Sequence, residues 1–487
     1  MNRRAFLTAS AALTATLASP EAVHAAAAAL AAGDWTLAVK DLEADVPRAP
    51  MRLVQGRAPA ALSGTLFRNG PAKFHRPGGS ATHWFDGDGM VRSFRIADGK
   101  ASLAARFVDT PKRRQETEAR AVLTPGFGTP MRAGAKVDSA DSANAANTSV
   151  LHVGNEIWAL WEAGSPTAID PVTLETKCAR TLRPDLAHMP FLAHPRVETG
   201  GRIWNLGLAG TNAFVWRLAA DGSLEAGEVI PLPAASYVHD FTATDRHLVI
   251  VLQPWVSRGG SQAFVSSLDW KPGGGTKVLV VDKADLSKRR IYELPAFFFF
   301  HMGDAWAETD GTIRFDICAE PDPAFAIEGA RMLLEGKFLP QDATAQLNLV
   351  TLRPDGRATM TPVGEAAEFP GGDPRFAGLR RRYSVHTAAP AKGRPMMQGL
   401  AVRDWKADRT RSFDYGVKTV AEEAVFVPRP GSSAEFDGWL VAPSLNLNAQ
   451  ATELAVFDAL RVDAGPICTW RAEVALPAGF HGKFVTA

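Results

Sequence analysis

Hairpin signals recur along most of this chain, and they limit its fold more than any other feature. A short strand, an Asp-Gly turn and a second strand follow one another in FRIADGKASL, WRLAADGSL, AWAETDGTIRF and TLRPDGRATM. Asp-Gly favours tight hairpin turns, and the flanking segments are rich in β-branched and aromatic residues. One helix is predicted, in PAFAIEGARMLLEGK around residues 323–337. The chain is therefore expected to consist of a repeated antiparallel unit.

Repeated hairpins over 487 residues predict an all-β fold. A β-propeller is the first candidate, and a tandem of β-sandwiches is the alternative. The repeats are not alike in sequence, which separates the chain from WD or kelch arrays. Large all-β folds can run this long as one unit, so residues 26–487 are expected to form a single domain.

The N-terminal segment MNRRAFLTASAALTATLASPEAVHA resembles an export signal. It opens with Arg3 and Arg4 and continues into a moderately apolar run that ends in small residues. Adjacent arginines followed by Phe-Leu are similar to a twin-arginine signal, with cleavage expected near Ala25. Residues 1–25 are thus predicted to be a signal peptide that directs the protein to a bacterial periplasm. No later segment has the ~18 consecutive apolar residues of a membrane span.

Charge and cysteine content exclude several classes of protein. The formal net charge is +1, which leaves no basic footprint for nucleic acid, so no nucleic-acid partner is expected. Cys178, Cys318 and Cys468 are far apart and form neither a CxxC pair nor a disulfide framework. They are predicted to be core thiols. No obligate protein partner is predicted.

Four of the 11 histidines stand in distinctive surroundings. They are His194 in LAHPRVE, His239 in SYVHDFTAT, His301 in FFFFHMGDAWAE and His481 in GFHGKF. Three of them adjoin a proline or a phenylalanine. No short metal-binding spacing such as HxxxH joins any two of them, and each alone is more often a core histidine than a ligand. Only a fold that brings distant segments together can make them one site.

A propeller would bring them together, because the inner strands of its blades point toward a common axis. His239 alternates with Tyr237 and Phe241 along a predicted strand, so these three are expected on one face. Four neutral imidazoles around one ion suit iron(II), copper or zinc. They leave the positive charge of the ion unneutralised, which favours outer carboxylates that each accept a hydrogen bond from the second ring nitrogen of a ligand.

Further segments lie in a fixed order around the histidine motifs. They are FRNGPAKF (67–74), HWFDGDGMVRSFRIADGKA (83–101), ANTSV (146–150), LWEAG (160–164), DPVTLET (170–176) and FVPRPGSSAEFDGWL (426–440). With the histidine motifs they resemble the carotenoid cleavage oxygenases, which include apocarotenoid oxygenases, lignostilbene dioxygenases and the vertebrate retinoid isomerohydrolase. The resemblance covers about residues 36–487.

The resemblance implies a seven-bladed β-propeller with one Fe(II) per chain on its central axis and a cap of loops and short helices. His194, His239, His301 and His481 would be the ligands. Three glutamates would hold three of them: Glu162 in LWEAG with His239, Glu368 in AAEFPGG with His301, and Glu423 in AEEAVFVPRP with His481. His194 would have no carboxylate partner, and Glu422 competes with Glu423 for its role.

The family pattern also implies a pocket beside the metal. Thr148 in ANTSV matches a threonine next to the open metal position, and Phe85 in HWFDGDGM is expected near the substrate. Strand alternation aims Phe298 and Phe300 to one side, and Phe300 is expected in the site. The Asp-Gly-Asp-Gly of HWFDGDGM could also be a hairpin turn or part of a calcium loop, although it lacks the downstream glutamate of an EF-hand.

One pair of positions separates branches of the family. In the stilbene-cleaving branch a lysine immediately before the first glutamate and an upstream tyrosine bind a phenol oxygen. Trp161 and Phe107 are matched to these places here, and neither can bind a phenolate in that way. Both are therefore expected to line a pocket for an apolar polyene.

The resemblance implies cleavage of one C=C bond of an apocarotenoid or similar conjugated apolar alkene by O2, giving two carbonyl products. The alternatives are a stilbene- or phenylpropanoid-cleaving dioxygenase of the same family and an inactive propeller that only binds a ligand. The apolar segment SSLDWKPGG (266–274) is expected to form an entrance, with weak contact to a membrane surface.

Overall fold

The computed structural model describes residues 35–260, 263–339, 345–389 and 395–487. The predicted signal peptide, residues 1–25, lies outside the described residues. Strands dominate the described part of the chain, as predicted. No helix in that part is long and apolar enough to cross a membrane.

The strands follow one another in groups of antiparallel neighbours. The first group is β1 (Val46–Gly56), β2 (Gly64–Arg68), β3 (Pro71–Lys73), β4 (His75–Arg76), β5 (Gly79–Ser80), β6 (Asp88–Ala97) and β7 (Lys100–Phe107). The next is β8 (Ser149–Val153), β9 (Glu156–Leu160), β10 (Thr167–Ile169) and β11 (Thr176–Ala179). The third is β12 (Arg196–Val197), β13 (Ile203–Ala209), β14 (Asn212–Leu218) and β15 (Leu224–Pro231).

The central groups continue the pattern. The fourth is β16 (Thr242–Ala243), β17 (His247–Leu252), β18 (Trp255–Ser257), β19 (Leu268–Trp270), β20 (Thr276–Asp282) and β21 (Arg289–Leu294). The fifth is β22 (Phe298–Ala307), β23 (Ile313–Glu320), β24 (Gln346–Leu352) and the first part of β25 (Ala358–Gly371). The sixth is the rest of β25 with β26 (Tyr383–Ala388), β27 (Gly399–Asp404) and β28 (Arg409–Asp414).

The last group is β29 (Thr419–Ala421), β30 (Val425–Pro428), β31 (Gly438–Asn446), β32 (Ala451–Asp458) and β33 (Cys468–Arg471), followed by β34 (Gly482–Thr486). Helices are short. They are α1 (Pro111–Ala119), α2 (Ala330–Leu334) with a π-helical turn at Phe325–Gly329 before it, and the 3-10 turns Trp35–Val39, Trp84–Asp86, Ala140–Ala143, Pro184–Leu186, Val265–Ser267, Pro272–Gly274, Pro374–Phe376 and Ala459–Ala464.

These groups are the seven blades of a β-propeller. Three of them are separate four-stranded sheets, and two more share a seven-stranded sheet through the long strand β25. The other two share an eleven-stranded sheet in the order β29-β31-β32-β33-β1-β7-β6-β2-β34. That order closes the ring, because β1 pairs with β33 on one side and with β7 on the other, and β34 pairs with β2. The predicted all-β, seven-bladed fold is confirmed.

The Asp-Gly signals identify real hairpins. Asp98 and Gly99 join β6 to β7 and both have the positive φ of a tight turn, 50° and 71°. The other three Asp-Gly pairs also connect adjacent antiparallel strands. The helix predicted around residues 323–337 lies at the π-helical turn and α2. Of the cysteines, Cys318 and Cys468 are buried, but the prediction of a core thiol is wrong for Cys178, which is exposed on β11.

The Asp-Gly-Asp-Gly segment is a structural anchor. Asp86 accepts hydrogen bonds from the backbone N–H groups of Phe127, Gly128 and Thr129, at 2.6, 3.0 and 2.7 Å, and so fixes the loop that follows α1. Both of its oxygens are used in this way. The calcium interpretation is therefore not needed for this carboxylate.

Asp88, the second acid of the segment, is buried among cations. Its carboxylate is 2.9 Å from Lys112 Nζ, 3.0 Å from an Arg113 nitrogen and hydrogen-bonded to Arg76. Lys112 also pairs with Glu116 at 2.8 Å. Burial alone would raise the pKa of Asp88, but the three cations outweigh it and hold that pKa well below its usual range. The cluster joins α1 to the first blade.

Asp88→Asn is expected to lower the free energy of unfolding by about 3–5 kcal/mol at pH 7, because it leaves buried cations without their partner. The folded-state pKa lies below the unfolded value of about 3.9, so the contribution is complete above pH ~4 and is lost as the pH falls further. Urea melts of both proteins at pH 7 and at low pH measure this. Asp109→Asn, in an exposed pair with Arg114, is the control and should cost ~1 kcal/mol or less. Equal effects of the two variants would contradict the prediction.

Candidate metal centre

The four predicted ligand histidines converge on one point. His194, His239 and His481 stand just before β12, β16 and β34, and His301 lies within β22. Each of these four strands ends the strand order of its sheet. The ends of different sheets therefore meet at a common axis, and the histidines occupy it.

Their Nε2 atoms face one another. The separation is 3.0 Å between His194 and His239, 3.3 Å between His239 and His301, and 3.0 Å between His301 and His481. All four ligand atoms lie within 4.8 Å of one another. Two nitrogens bound to one ion at about 2.0–2.1 Å and at right angles would be about 3 Å apart, so the spacing fits a shared metal ion.

Three glutamates set the orientation of three rings. The pairs, each through Nδ1, are His239 with Glu162, His301 with Glu368, and His481 with Glu423, the last at 2.9 Å. These are the predicted pairings, and among the described residues no carboxylate pairs with His194, as expected. Because Nδ1–H donates to a carboxylate, Nε2 carries a lone pair.

Lone pairs that face one another at about 3 Å repel unless a cation lies between them. Burial and the neighbouring imidazoles hold the pKa of His194 well below its usual range, so this ring is neutral near pH 7. Neutral imidazoles of this kind are ligands for Fe, Cu or Zn. The donor set therefore fits a divalent transition metal.

Tyr237 supports the first of these pairs, a role that the sequence analysis did not assign to it. Its hydroxyl donates to Glu162 at 2.9 Å and lies 3.1 Å from His239 Nδ1. Burial, and then the charge of Glu162, raise the pKa of Tyr237 well above its usual range, so it stays a donor. The strand predicted through Tyr237, His239 and Phe241 is wrong: β16 begins only at Thr242, and Phe241 packs in a different core cluster from Tyr237.

Glu422 and Glu423 have different roles. Glu422 accepts from Arg68 Nε at 2.6 Å, whereas Glu423 accepts from His481 and from the Gly482 N–H at 2.7 Å. Arg68 also donates to the Phe480 carbonyl at 2.8 Å. Glu423 therefore holds the segment around His481 through the ligand ring, whereas Glu422 holds it through the Gly479 N–H at 3.1 Å and through Arg68, which also reaches Glu423 at 3.5 Å.

Phe369 is a further residue that the sequence analysis missed. Its ring stacks on His301 with centroids 5.0 Å apart and meets His481 edge-on at 5.0 Å. Its φ of 56° is unfavourable for a bulky side chain, and its N–H donates to Glu368 at 2.9 Å. Backbone strain of this kind is concentrated at functional sites, where surrounding contacts enforce it. Only the Glu-Phe-Pro-Gly order around it could have hinted at an unusual turn.

A cavity of about 820 Å³ opens beside the histidines. Its wall includes the predicted Phe85, Thr148, Trp161 and Phe300. Phe300 lies 5.4 Å from Phe85 and 5.2 Å from His239, between ring centroids. Eight more aromatic residues, which the sequence analysis did not place in the pocket, lie on this wall: Trp84, Phe127, Tyr237, Phe264, Phe325, Phe338, Phe369 and Phe480.

Phe107 does not line this cavity, so its predicted place in the pocket is wrong. The residue is buried in the core of the first blade, with Arg113 stacked 3.9 Å above its ring. Phe107 is the last residue of β7. The alternation of side chains along this strand directs Phe107 into the core of the first blade and away from the axis. Thr148 lines the cavity, and its carbonyl accepts from the His481 N–H at 3.3 Å.

A closed β-propeller with four converging imidazoles beside a largely aromatic cavity is an arrangement that could hold a metal ion on the axis. Residues 40–486 match the family described as retinal pigment epithelial membrane protein. The chain belongs to this family, the carotenoid cleavage oxygenases.

Relatives across the family match over most of their length. The apocarotenoid-15,15'-oxygenase of Synechocystis is 28% identical over 88% of this chain and 92% of its own. A carotenoid 9,10(9',10')-cleavage dioxygenase of Crocus sativus is 29% identical, over 91% and 87%. A solved structure of the Synechocystis apocarotenoid oxygenase has a TM-score of 0.85 and 24% identity, and covers 93% of this chain and 98% of that one.

Glu423→Gln is expected to weaken metal binding about 10- to 100-fold, because it removes the carboxylate that orients His481. Chelator competition on the metal-loaded protein measures this. Glu422→Gln is the matched control: it breaks the buried pair with Arg68 and should lower the melting temperature with a smaller effect on metal affinity. The reverse result would mean that Glu422 orients the ligand.

Deleting residues 482–487 is expected to abolish metal binding although His481 remains. The deletion removes β34 and its pairing with β2, together with Phe484 in the core of the first blade. Elemental analysis and a thermal melt measure the two effects, and deletion of Ala487 alone is the control. Metal retained at the level of the full chain would show that β34 does not position His481.

Proposed function

We propose that this protein is a non-haem iron(II) dioxygenase that cleaves one C=C bond of an apocarotenoid or a similar conjugated apolar alkene. One O2 and one alkene give two carbonyl products, and each product carbon receives one oxygen atom. The observation that carries the proposal is the set of four converging imidazoles, three of them held by carboxylates, beside a large aromatic cavity. Four histidines would hold the iron, which supplies the activation of dioxygen when bound.

The other residues of the site bind and orient the substrate. Phe85, Phe127 and Phe300 form an apolar surface that excludes water and fits a flat polyene. Positioning of one double bond against the centre decides which bond breaks. Glu162, Glu368 and Glu423 hold protons at the Nδ1 atoms of their histidines, so that the Nε2 atoms stay available to the ion.

Two observations favour a polyene over a hydroxystilbene. Trp161, on the cavity wall, stands where the stilbene-cleaving branch has a lysine, and among the described residues no lysine or arginine lines the cavity. Phe107 does not support this inference, because it lies in the core of the first blade and not on the cavity wall. Relatives that cleave other alkenes keep the second candidate open: an isoeugenol monooxygenase of Pseudomonas putida is 26% identical over 88% of this chain. The complete ligand set disfavours an inactive binding protein.

The segment 266–274 is proposed to form the entrance of the cavity, and two of its residues support this. Ser267 and Leu268, from the segment 266–274, lie on the cavity wall. Weak contact of this segment with a membrane surface stays a prediction.

Iron-loaded protein is expected to convert apocarotenals in air into two shorter carbonyl compounds, with isotopically labelled dioxygen entering both. A panel of apocarotenals of several lengths and of stilbenes with and without a 4-hydroxyl, followed by mass spectrometry, measures the products. Cleavage that requires the 4-hydroxyl would favour the stilbene candidate.

His301→Ala should lose both iron and turnover, while His75→Ala, at an exposed ion pair with Asp41, should keep both. Elemental analysis also distinguishes iron from copper and zinc. A protein that binds no iron and forms no carbonyl product from any compound of the panel would contradict the proposal.

A further inference from the structure

Glu320 is a carboxyl group on the cavity wall with no assigned role. It is the last residue of β23, paired with Phe298 of β22, and only 5% of its surface is exposed. Glu320 is one of the residues that line the cavity beside the histidines. Its carboxyl group therefore lies next to the space that the substrate would occupy.

Glu320 lacks a partner for its buried oxygen. Oε2 is buried without a hydrogen-bond partner. Other buried carboxylates of the protein are compensated: Glu116 pairs with Lys112, and Glu422 with Arg68. An uncompensated buried polar atom is costly and rare in folded proteins, so its retention calls for an explanation.

The surroundings of Glu320 favour its protonated form. Burial first, and then the charges of Glu368 and Asp322, raise the pKa of Glu320 well above its usual range. A protonated carboxyl carries one O–H donor and keeps acceptor capacity. In an aromatic cavity without lysine or arginine on its described wall, that O–H is suited to a neutral oxygen atom of a ligand.

We propose that Glu320 is a specificity-determining residue whose carboxyl donates a hydrogen bond to a terminal carbonyl or hydroxyl oxygen of the substrate. This inference rests on the proposed function and deepens it: the substrate class becomes a polyene with an oxygenated end rather than a hydrocarbon. Aromatic residues bind the conjugated chain, and Glu320 fixes its register along the cavity. A site with an unpaired polar group discriminates against a ligand that cannot pair with it.

The kinetic test uses two polyenes of equal length, one that ends in an aldehyde and one that ends in a methyl group. Glu320→Leu should lower kcat/KM for the aldehyde about tenfold, since one hydrogen bond is lost, and should leave kcat/KM for the hydrocarbon unchanged or raise it. Glu320→Gln keeps a donor and should retain most of the preference. Asp355→Asn, at an exposed acid in the turn between β24 and β25, is the control and should retain all of it. Equal effects of Glu320→Leu on both polyenes would overturn the proposal.

A second readout does not depend on turnover. Without oxygen, the aldehyde bound to the wild-type protein should absorb at longer wavelength than in Glu320→Leu, because a hydrogen bond to the carbonyl oxygen stabilises charge displacement along the polyene. If no polyene is cleaved but this shift is present and is lost in the variant, the proposed function fails and the Glu320 site stands. The same absorption in both proteins would overturn the site.

Stability separates recognition from a structural role. Replacing an unpaired buried carboxyl with leucine should leave the melting temperature unchanged or raise it. A melting temperature lowered by several degrees in both Glu320→Leu and Glu320→Gln would assign the residue to the fold and overturn the proposal.

Discussion

Antiparallel pairing between the two ends of the propeller is the interaction on which the rest of the structure depends. β1 lies between β33 and β7, and β34 pairs with β2, so the first and last blades are one continuous sheet. Only a closed ring has an axis, and only an axis brings ligands from four separate blades together. Arg68 reinforces this closure from within, since its guanidinium joins β2 to Glu422 and to the backbone at Phe480.

The axis then determines the electrostatics of the centre. The imidazoles bring no charge of their own, and the carboxylates that could neutralise an ion stand one shell further out, at Glu162, Glu368 and Glu423. Positive charge would therefore remain at the floor of an aromatic cavity. Tyr237 and Phe369 hold two of these carboxylates by hydrogen bonds, so groups outside the set of four histidines fix the orientation of the imidazole rings.

Much of the fold and of the histidine centre could be predicted from the sequence. The correct and the wrong predictions have different physical reasons. Asp-Gly turns have a specific backbone preference, and four histidine motifs stand in the order typical of the family; both lead to the observed fold and centre. Phenylalanines carry no such signal, so Phe107 could not be distinguished from the cavity residue Phe127 by composition. The left-handed backbone of Phe369 is imposed by its neighbours in space, which no local pattern records. The exposure of Cys178 could not be predicted from its residue type either, because it follows from the position of its strand at the edge of a sheet.

The position of His481 has a consequence for the chain while it is being synthesised and folded. This ligand is 180 residues beyond His301, and the arginine that anchors its segment is 412 residues before Phe480. Contacts between such distant parts of a chain form late in folding. A partly synthesised or partly folded chain therefore holds at most three of the four imidazoles. The centre could not react with oxygen until the ring has closed. A bound metal would therefore indicate that the chain is completely folded.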